Sequence, residues 1–132
     1  MAVIYDLNKR ILRSLTANNI PATGFVNEKA IAGDAETYGR EILEMWLDAG
    51  QELGNHTFSH LDLHTATLEE FCANIIEGER LTRKLMRERG RVLKYFRHPH
   101  LHTGTTLEMR SAVEDGSEPE ICGRAGRGSV WP

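Results

Sequence analysis

The sequence predicts an α/β fold in which about four parallel strands alternate with helices, as an open sheet or as part of a barrel. Short β-prone runs alternate with segments whose apolar residues recur every three to four positions, and this order is typical of parallel strands joined by right-handed crossovers. The composition, 40% hydrophobic and 27% charged over 132 residues, is that of one globular domain. We assign residues 1–114 to that domain, because residues 115–132 lack periodicity and are predicted to be disordered.

Each predicted strand is a short run of mainly apolar residues next to polar or turn-forming ones. The predicted strands cover residues 2–5, 22–27, 51–55 and 92–96. In α/β folds, functional groups lie at the carboxyl ends of the strands. Those ends are predicted at Asp6, Asn27, Asn55–His56 and Arg97–His98.

Each predicted helix carries an apolar stripe, and capping residues mark its ends. The predicted helices begin near residues 8, 38, 68 and 105. Gly50 suits the left-handed end of the second helix, and Thr67 is the expected N-cap of the third. This third helix is predicted to run without a break to Arg89, where Gly90 stops it, and Cys72 on its stripe is expected in the core.

Charge and hydropathy exclude several classes of protein. With 16 basic and 19 acidic residues the net charge is -3, which argues against a protein that mainly coats nucleic acid or a membrane surface. No apolar run approaches the roughly 18 residues of a membrane span, and the first residues show no secretory signal, so the localisation stays open. Residues 80–97 hold eight basic residues and one acidic residue. We interpret them as a solvated helix face, with polyanion binding as the alternative.

The motif GNHTFSH at residues 54–60 gives the strongest chemical signal. On a helical turn, two histidines four residues apart share a face, so His56 and His60 are able to reach one ion at about 2.0–2.1 Å. Such a pair also occurs by chance on surfaces and in cores. Its place directly after a predicted strand favours a metal site.

A second motif, YFRHPHLHTG, occupies residues 95–104. An arginine that leaves a strand end is able to hold a carboxylate through two parallel hydrogen bonds and to keep it ionised as a base. In extended backbone, the three histidines at positions 98, 100 and 102 would face one way and form a metal site of their own. The alternative is an exposed loop in which Arg97 is a surface charge.

Together the two motifs resemble the second and third motifs of the polysaccharide deacetylase family, the chitooligosaccharide-deacetylase-like carbohydrate esterases. The segment IPATGFVNE at residues 20–28 also resembles the strand after that family's first helix. The resemblance covers about residues 11–114. It implies a distorted (β/α) barrel that is incomplete in this chain, with about four strands and intervening helices.

The resemblance also implies roles for single residues. His56 and His60 would be two ligands of a divalent metal, with zinc expected. Arg97 would orient a catalytic aspartate, while Pro99 and the backbone N–H of His100 would line the substrate cleft. The implied reaction is metal-assisted removal of acetyl groups from N- or O-acetylated sugars of an oligo- or polysaccharide, by a hydrolase that acts on carbon–nitrogen bonds other than peptide bonds.

The chain departs from the family pattern at both ends. Where the family has a TFDDGP-like motif that supplies a base and a third metal ligand, this sequence has VIYDLN with the single carboxylate of Asp6. Asp6 is therefore the candidate base, and its alternative role is N-cap of the first helix. The family's later aspartate-tryptophan motif and acid histidine are not identifiable after Glu114. We expect a truncated or degenerate deacetylase, or alternatively an inactive carbohydrate- or metal-binding pseudoenzyme.

Overall fold

The computed structural model describes residues 2–31 and 36–114, so the tail predicted to be disordered lies outside the described residues. Within them the helices are α1 (Ala2–Ala17), α2 (Glu36–Asp48), α3 (Leu68–Glu77), α4 (Arg80–Glu88) and α5 (Leu107–Glu114). The strands are β1 (Thr23–Val26), β2 (Glu52–Asn55) and β3 (Tyr95–Phe96). Short 3₁₀ turns cover Glu28–Ile31 and Pro99–Leu101.

The three strands form a parallel sheet in the order β1-β2-β3. Thr23 lies opposite Glu52, and Gly54 lies opposite Tyr95. Helices connect successive strands, so the predicted α/β class is confirmed. The described strands make an open sheet, and the barrel remains a prediction.

The strand predicted at residues 2–5 is wrong, because these residues form the first turns of α1. A short apolar run fits a strand and a helix equally well, and Ile4 continues the stripe of Leu7 and Ile11 at helical spacing. Helix α1 attaches to α2 through a hydrogen bond of 2.8 Å from Trp46 Nε1 to Asn8 Oδ1. Residues 2–17 are therefore one amphipathic helix.

The helix predicted to run unbroken to Arg89 is divided into α3 and α4 at Gly78. A Cβ atom at Gly78 would lie 2.5 Å from the carbonyl carbon of Thr57, so only glycine lets this turn approach the loop. The new helix start is satisfied by the carboxylate of Glu28, which accepts the N–H groups of Leu81 at 2.5 Å and Thr82 at 2.9 Å. An acceptor from a distant segment thus caps α4.

The predicted helix caps are confirmed. The Thr67 hydroxyl accepts the N–H of Glu70 at 3.2 Å, and the Glu70 carboxylate accepts the N–H of Thr67 at 2.9 Å, which completes a capping box. Gly50 and Gly90 follow α2 and α4 with φ of +79° and +68°. Both glycines have the left-handed conformation that ends a helix.

Two hydrophobic clusters hold the elements on the sheet. One joins α3, β3 and α5 and contains Leu63, Phe71, Cys72, Ile75, Phe96 and Val113. The other joins α2, α4, β1 and β2 and contains Val26, Leu43, Leu47, Leu53, Leu85, Met86 and Leu93. Cys72 is fully buried, as predicted. No helix in the described ranges combines the length and apolar character needed to cross a bilayer.

The basic residues 80–97 lie along α4 and the segment after it. Three of their guanidinium groups pair with carboxylates of the same chain, in Arg83–Glu79 at 2.9 Å, Arg89–Asp48 at 3.0 Å and Arg91–Glu52 at 2.6 Å. These pairs agree with a solvated helix face. That the stretch binds no nucleic acid stays a prediction.

Candidate functional site

The two sequence motifs meet at the carboxyl ends of β2 and β3. Asn55 lies opposite Phe96 in the parallel register, and the N–H of Arg97 donates to the carbonyl of Asn55 at 3.0 Å. The neighbouring end of β1 joins through a hydrogen bond of 3.0 Å from the His56 N–H to the carbonyl of Val26. Three of the four strand ends predicted to be functional therefore lie together.

Five of the six histidines form a continuous array at this edge, which we call the histidine row. Ring centroids are 4.7 Å apart for His56 and His60, and 4.6 Å apart for His60 and His100. The row continues through His102 at 5.6 Å from His100, and ends at His64, whose ring stacks on His102 at 3.9 Å. Folding thus places metal-ligating side chains from both motifs side by side.

The segment between His56 and His60 is a loop, so the predicted helical turn is wrong. Thr57 and His60 have φ of 67° and 59°, which is left-handed backbone that β-branched threonine rarely adopts. Such conformations cost about 1–3 kcal/mol each and persist only where the surroundings impose them. The rings of His56 and His60 are therefore brought together by a left-handed loop and not by the helical turn that their spacing predicts.

Two asparagines at strand ends hold this strained loop. The buried Asn55 donates from Nδ2 to the carbonyl of Ile75 at 2.8 Å, and its Oδ1 accepts the Thr57 N–H at 2.8 Å. Asn27 donates from Nδ2 to the carbonyl of His56 at 2.6 Å. Both asparagines stand at strand ends predicted to be functional, and their observed role is to position the loop.

A third asparagine, Asn74 in α3, holds the other half of the loop. Its Oδ1 accepts the Ser59 N–H at 3.0 Å, and its carbonyl accepts the Phe58 N–H at 2.9 Å. Asn74 was not a predicted site residue, because a polar residue inside a helix carries no local signal of a contact 15 positions away.

His56 is oriented in a way that suits a metal ligand. Its Nδ1 lies 2.7 Å from the carbonyl of Arg97, so the tautomer that donates from Nδ1 leaves Nε2 available to an ion. Burial lowers the pKa of His56 by more than the hydrogen bond with the Arg97 carbonyl raises it, and the nearby charges of His60 and Arg97 lower it further. The imidazole is therefore held in the neutral form that binds metals.

Arg97 and Asp6 do not form the predicted pair. Asp6 is exposed within α1 and occupies neither a strand end nor the N-cap of that helix. The Arg97 guanidinium carbon lies 5.8 Å from the ring centroid of Phe25, and no ion pair among the described residues includes Arg97. The strand end predicted at Asp6 is thus wrong, because residues 2–5 belong to the helix, and the roles of Asp6 as base and of Arg97 as its orienting group stay predictions.

The second motif is a turn, so the predicted extended backbone of its three histidines is also wrong. The 3₁₀ turn Pro99–Leu101, in which His100 has φ of 56°, sends alternate side chains to different places. His98 packs under the row, parallel to Phe71 at 5.8 Å and edge-on to Phe96 at 5.0 Å. Burial lowers the pKa of His98 to about 4, whereas His100 is exposed in the row.

A second group of metal-ligating side chains closes the far end of the row. Donor atoms of Asp62, His64 and His102 all lie within 4.8 Å of one another. Asp62 Oδ1 lies 2.7 Å from His102 Nδ1 and accepts the backbone N–H of His64 at 2.9 Å. The hydrogen bond from the His64 N–H lowers the pKa of Asp62 most, and the hydrogen bond with His102 lowers it further. Neither Asp62 nor His64 was a predicted site residue, although the pattern Asp-x-His begins two positions after His60.

Comparisons with known proteins identify the family. A parallel α/β sheet with two histidine-bearing loops at its strand ends is the arrangement that the sequence resemblance predicts. The chain belongs to the polysaccharide deacetylase family, whose model matches residues 4–115. No curated protein matches the chain.

Several solved structures share the fold. A CE4 family pseudoenzyme from Bacillus anthracis superposes with a TM-score of 0.68 at 19% identity, over 96% of this chain and 38% of that one. The peptidoglycan deacetylase PdaC from Bacillus subtilis has a TM-score of 0.62 at 25% identity, over 93% of this chain and 50% of that one. A family 4 acetyl xylan esterase from Clostridium thermocellum, in complex with a cobalt ion, has a TM-score of 0.61 at 25% identity, over 79% of this chain and 47% of that one. The chain thus spans half or less of each of these structures.

Proposed function

We propose that this chain is a metal-dependent hydrolase that removes acetyl groups from N- or O-acetylated sugars of an oligo- or polysaccharide. The observation that carries the proposal is the pairing of His56 and His60, whose ring centroids are 4.7 Å apart. Family membership supports the reaction class, and related structures include a deacetylase and an esterase.

The donor set suits a divalent cation such as zinc, which takes imidazole ligands and keeps one position for water. His56 would bind through Nε2 and His60 through its exposed ring, and the ring of His100 lies beside that of His60 with centroids 4.6 Å apart. When bound, the cation polarises the acetyl carbonyl and lowers the pKa of a water molecule.

The remaining residues would position the substrate. The Arg97 carbonyl fixes the His56 ring, while the exposed Arg97 guanidinium remains available to a carboxylate. Pro99, which is buried, fixes the turn that presents His100, and we propose that the backbone N–H of His100 helps to bind the oxyanion. Pro99 would therefore support the cleft from within the fold, and His100 would line it.

A second candidate function is a carbohydrate- or metal-binding pseudoenzyme. The observation that favours it is the position of Asp6, which is exposed inside α1, so the described residues place no aspartate base beside Arg97. A missing general base typically costs about 100-fold or more in rate. We therefore expect any hydrolysis to be slow.

Acetate release from acetylated chitooligosaccharide by the zinc-loaded or cobalt-loaded chain tests the proposal. We expect slow, cation-dependent release that is lost in the double variant His56→Ala/His60→Ala and in excess chelator. The control is Glu41→Gln, which changes an exposed carboxylate on α2 and should leave release unchanged. Acetate release that persists in the double variant and in excess chelator would contradict the proposal. Binding of the cation and the oligosaccharide without acetate release would establish the pseudoenzyme.

A further inference from the structure

We propose that Asp62, His64 and His102 form a second divalent-cation site of the zinc class, at the opposite end of the histidine row from His56. Their donor atoms lie within 4.8 Å of one another, a span that one ion is able to bridge with small side-chain rotations. Within the part of the chain that the structure describes, no other group of three histidine, cysteine or acidic side chains meets this spacing. This inference does not depend on the proposed deacetylation.

The chemistry of the three side chains selects the class of ion. Two imidazoles and one carboxylate are the ligands of many catalytic zinc sites, where the fourth position holds water. Magnesium and calcium prefer sets made of oxygen atoms alone. Zinc, or cobalt as its spectroscopic substitute, is therefore the expected occupant.

The stacked rings leave room for coordination. The rings of His64 and His102 are parallel within 7°, with centroids 3.9 Å apart. To share an ion, the rings must tilt until their lone pairs converge. Solvent exposure permits the tilt, because His64 is exposed and the His102 side chain keeps 39% of its accessible surface.

The backbones that carry the three side chains are fixed. Leu63, between Asp62 and His64, is fully buried in the core and anchors the first loop. His102 is held in the second loop by a hydrogen bond of 3.1 Å from its N–H to the carbonyl of Pro99. Donors placed on anchored backbone bind with little loss of conformational freedom, so an ion here would join the two motif loops.

The second site is separate from the His56–His60 pair. His100 lies between them, with its ring centroid 4.6 Å from that of His60 and 5.6 Å from that of His102. One ion cannot take ligands at about 2 Å from both ends of such a row. The two groups should therefore bind ions independently.

Zinc stoichiometry of the full chain, measured by calorimetry and by metal analysis after dialysis, tests the inference. We expect about two zinc ions per wild-type chain and about one in His64→Gln/His102→Gln, which removes two ligands. Glu41→Gln serves as the control with wild-type stoichiometry. In the cobalt-loaded chain, the visible absorption of a tetrahedral ion should lose one component in the same double variant.

A milder variant, Asp62→Asn, keeps both imidazoles and protects the test against a folding defect. It should weaken one of the two sites about 10-fold or more. Unchanged stoichiometry and affinity in Asp62→Asn and in His64→Gln/His102→Gln would overturn the second site. If the wild-type chain binds one ion and loses it only in His56→Gln/His60→Gln, the second site is overturned and the proposed function stands. If it binds one ion and loses it only in His64→Gln/His102→Gln, the second site is supported and the His56–His60 centre is contradicted.

Discussion

His98 and His100 are two residues apart, but His98 is buried and His100 is exposed to solvent. His98 is 8% exposed and lies against Phe71, whereas His100 joins the exposed row. Burial disfavours the charged imidazolium, which lowers the pKa of His98 to about 4 from an ordinary value of 6.5. His98 is thus a packing residue under the candidate site.

This packing role predicts acid sensitivity. The unfolded chain takes up a proton at His98 near pH 6.5 and the folded chain only near pH 4. The stabilisation is therefore complete above pH 6.5 and is lost as the pH falls toward 4, by up to about 3 kcal/mol. His98→Phe keeps the aromatic stack and should lose less stability on acidification, which urea unfolding at pH 7.5 and pH 4.5 would measure. An equal loss in both proteins would contradict this assignment.

At the scale of elements, helix α3 supports the loop between His56 and His60. Asn74 reaches Ser59 through both side-chain atoms, since Nδ2 donates to the Ser59 hydroxyl at 3.1 Å and Oδ1 accepts the Ser59 N–H at 3.0 Å. Gly78, at the end of the same helix, lets the backbone pack against Thr57. Hydrogen bonds from α3, 15 positions further along the chain, thus help to hold the loop that contains the left-handed Thr57 and His60.

Removing this support should loosen the loop. Asn74→Ala leaves the Ser59 N–H without its acceptor, so we expect faster amide hydrogen exchange at Ser59 and a loss of about 1–3 kcal/mol in unfolding free energy. Zinc affinity at His56 and His60 should fall about 10-fold. The matched control is Asn18→Ala, an exposed asparagine at the end of α1. Wild-type exchange at Ser59 in Asn74→Ala would contradict the supporting role.

For the molecule as a whole, the histidine row joins loops from two strand ends, so bound cations would link regions far apart in sequence. A ligand that binds only the folded state stabilises it by mass action.

Zinc at about 100 times its dissociation constant should raise the unfolding free energy by about 2.7 kcal/mol per site. Thermal unfolding with and without zinc checks this in the wild type and in a variant with glutamine at His56, His60, His64 and His102. An equal zinc effect in both proteins would mean that zinc acts elsewhere.

The sequence by itself determined the features that rest on local chemistry. Capping residues such as Thr67 and Gly50 mark helix ends wherever the helix packs, and from residue 22 onward periodicity is enough to predict the alternation of strands and helices. The polar residues after β2 and β3 come together because the carboxyl ends of parallel strands share one edge of the sheet. The family resemblance also came from these two local motifs.

Only the tertiary structure decided the features that depend on distant partners. Taken alone, residues 2–5 fit a helix and a strand equally well. In the structure they are helical because they are continuous with the rest of α1. The break at Gly78 depends on Glu28, which lies some fifty positions earlier and caps α4. Asp62 and His102 meet because a turn replaces the extended backbone predicted from sequence. Local sequence patterns identify the residues that are able to do chemistry. Which residues lie next to them depends on packing between distant segments, and spacing along the sequence does not encode that packing.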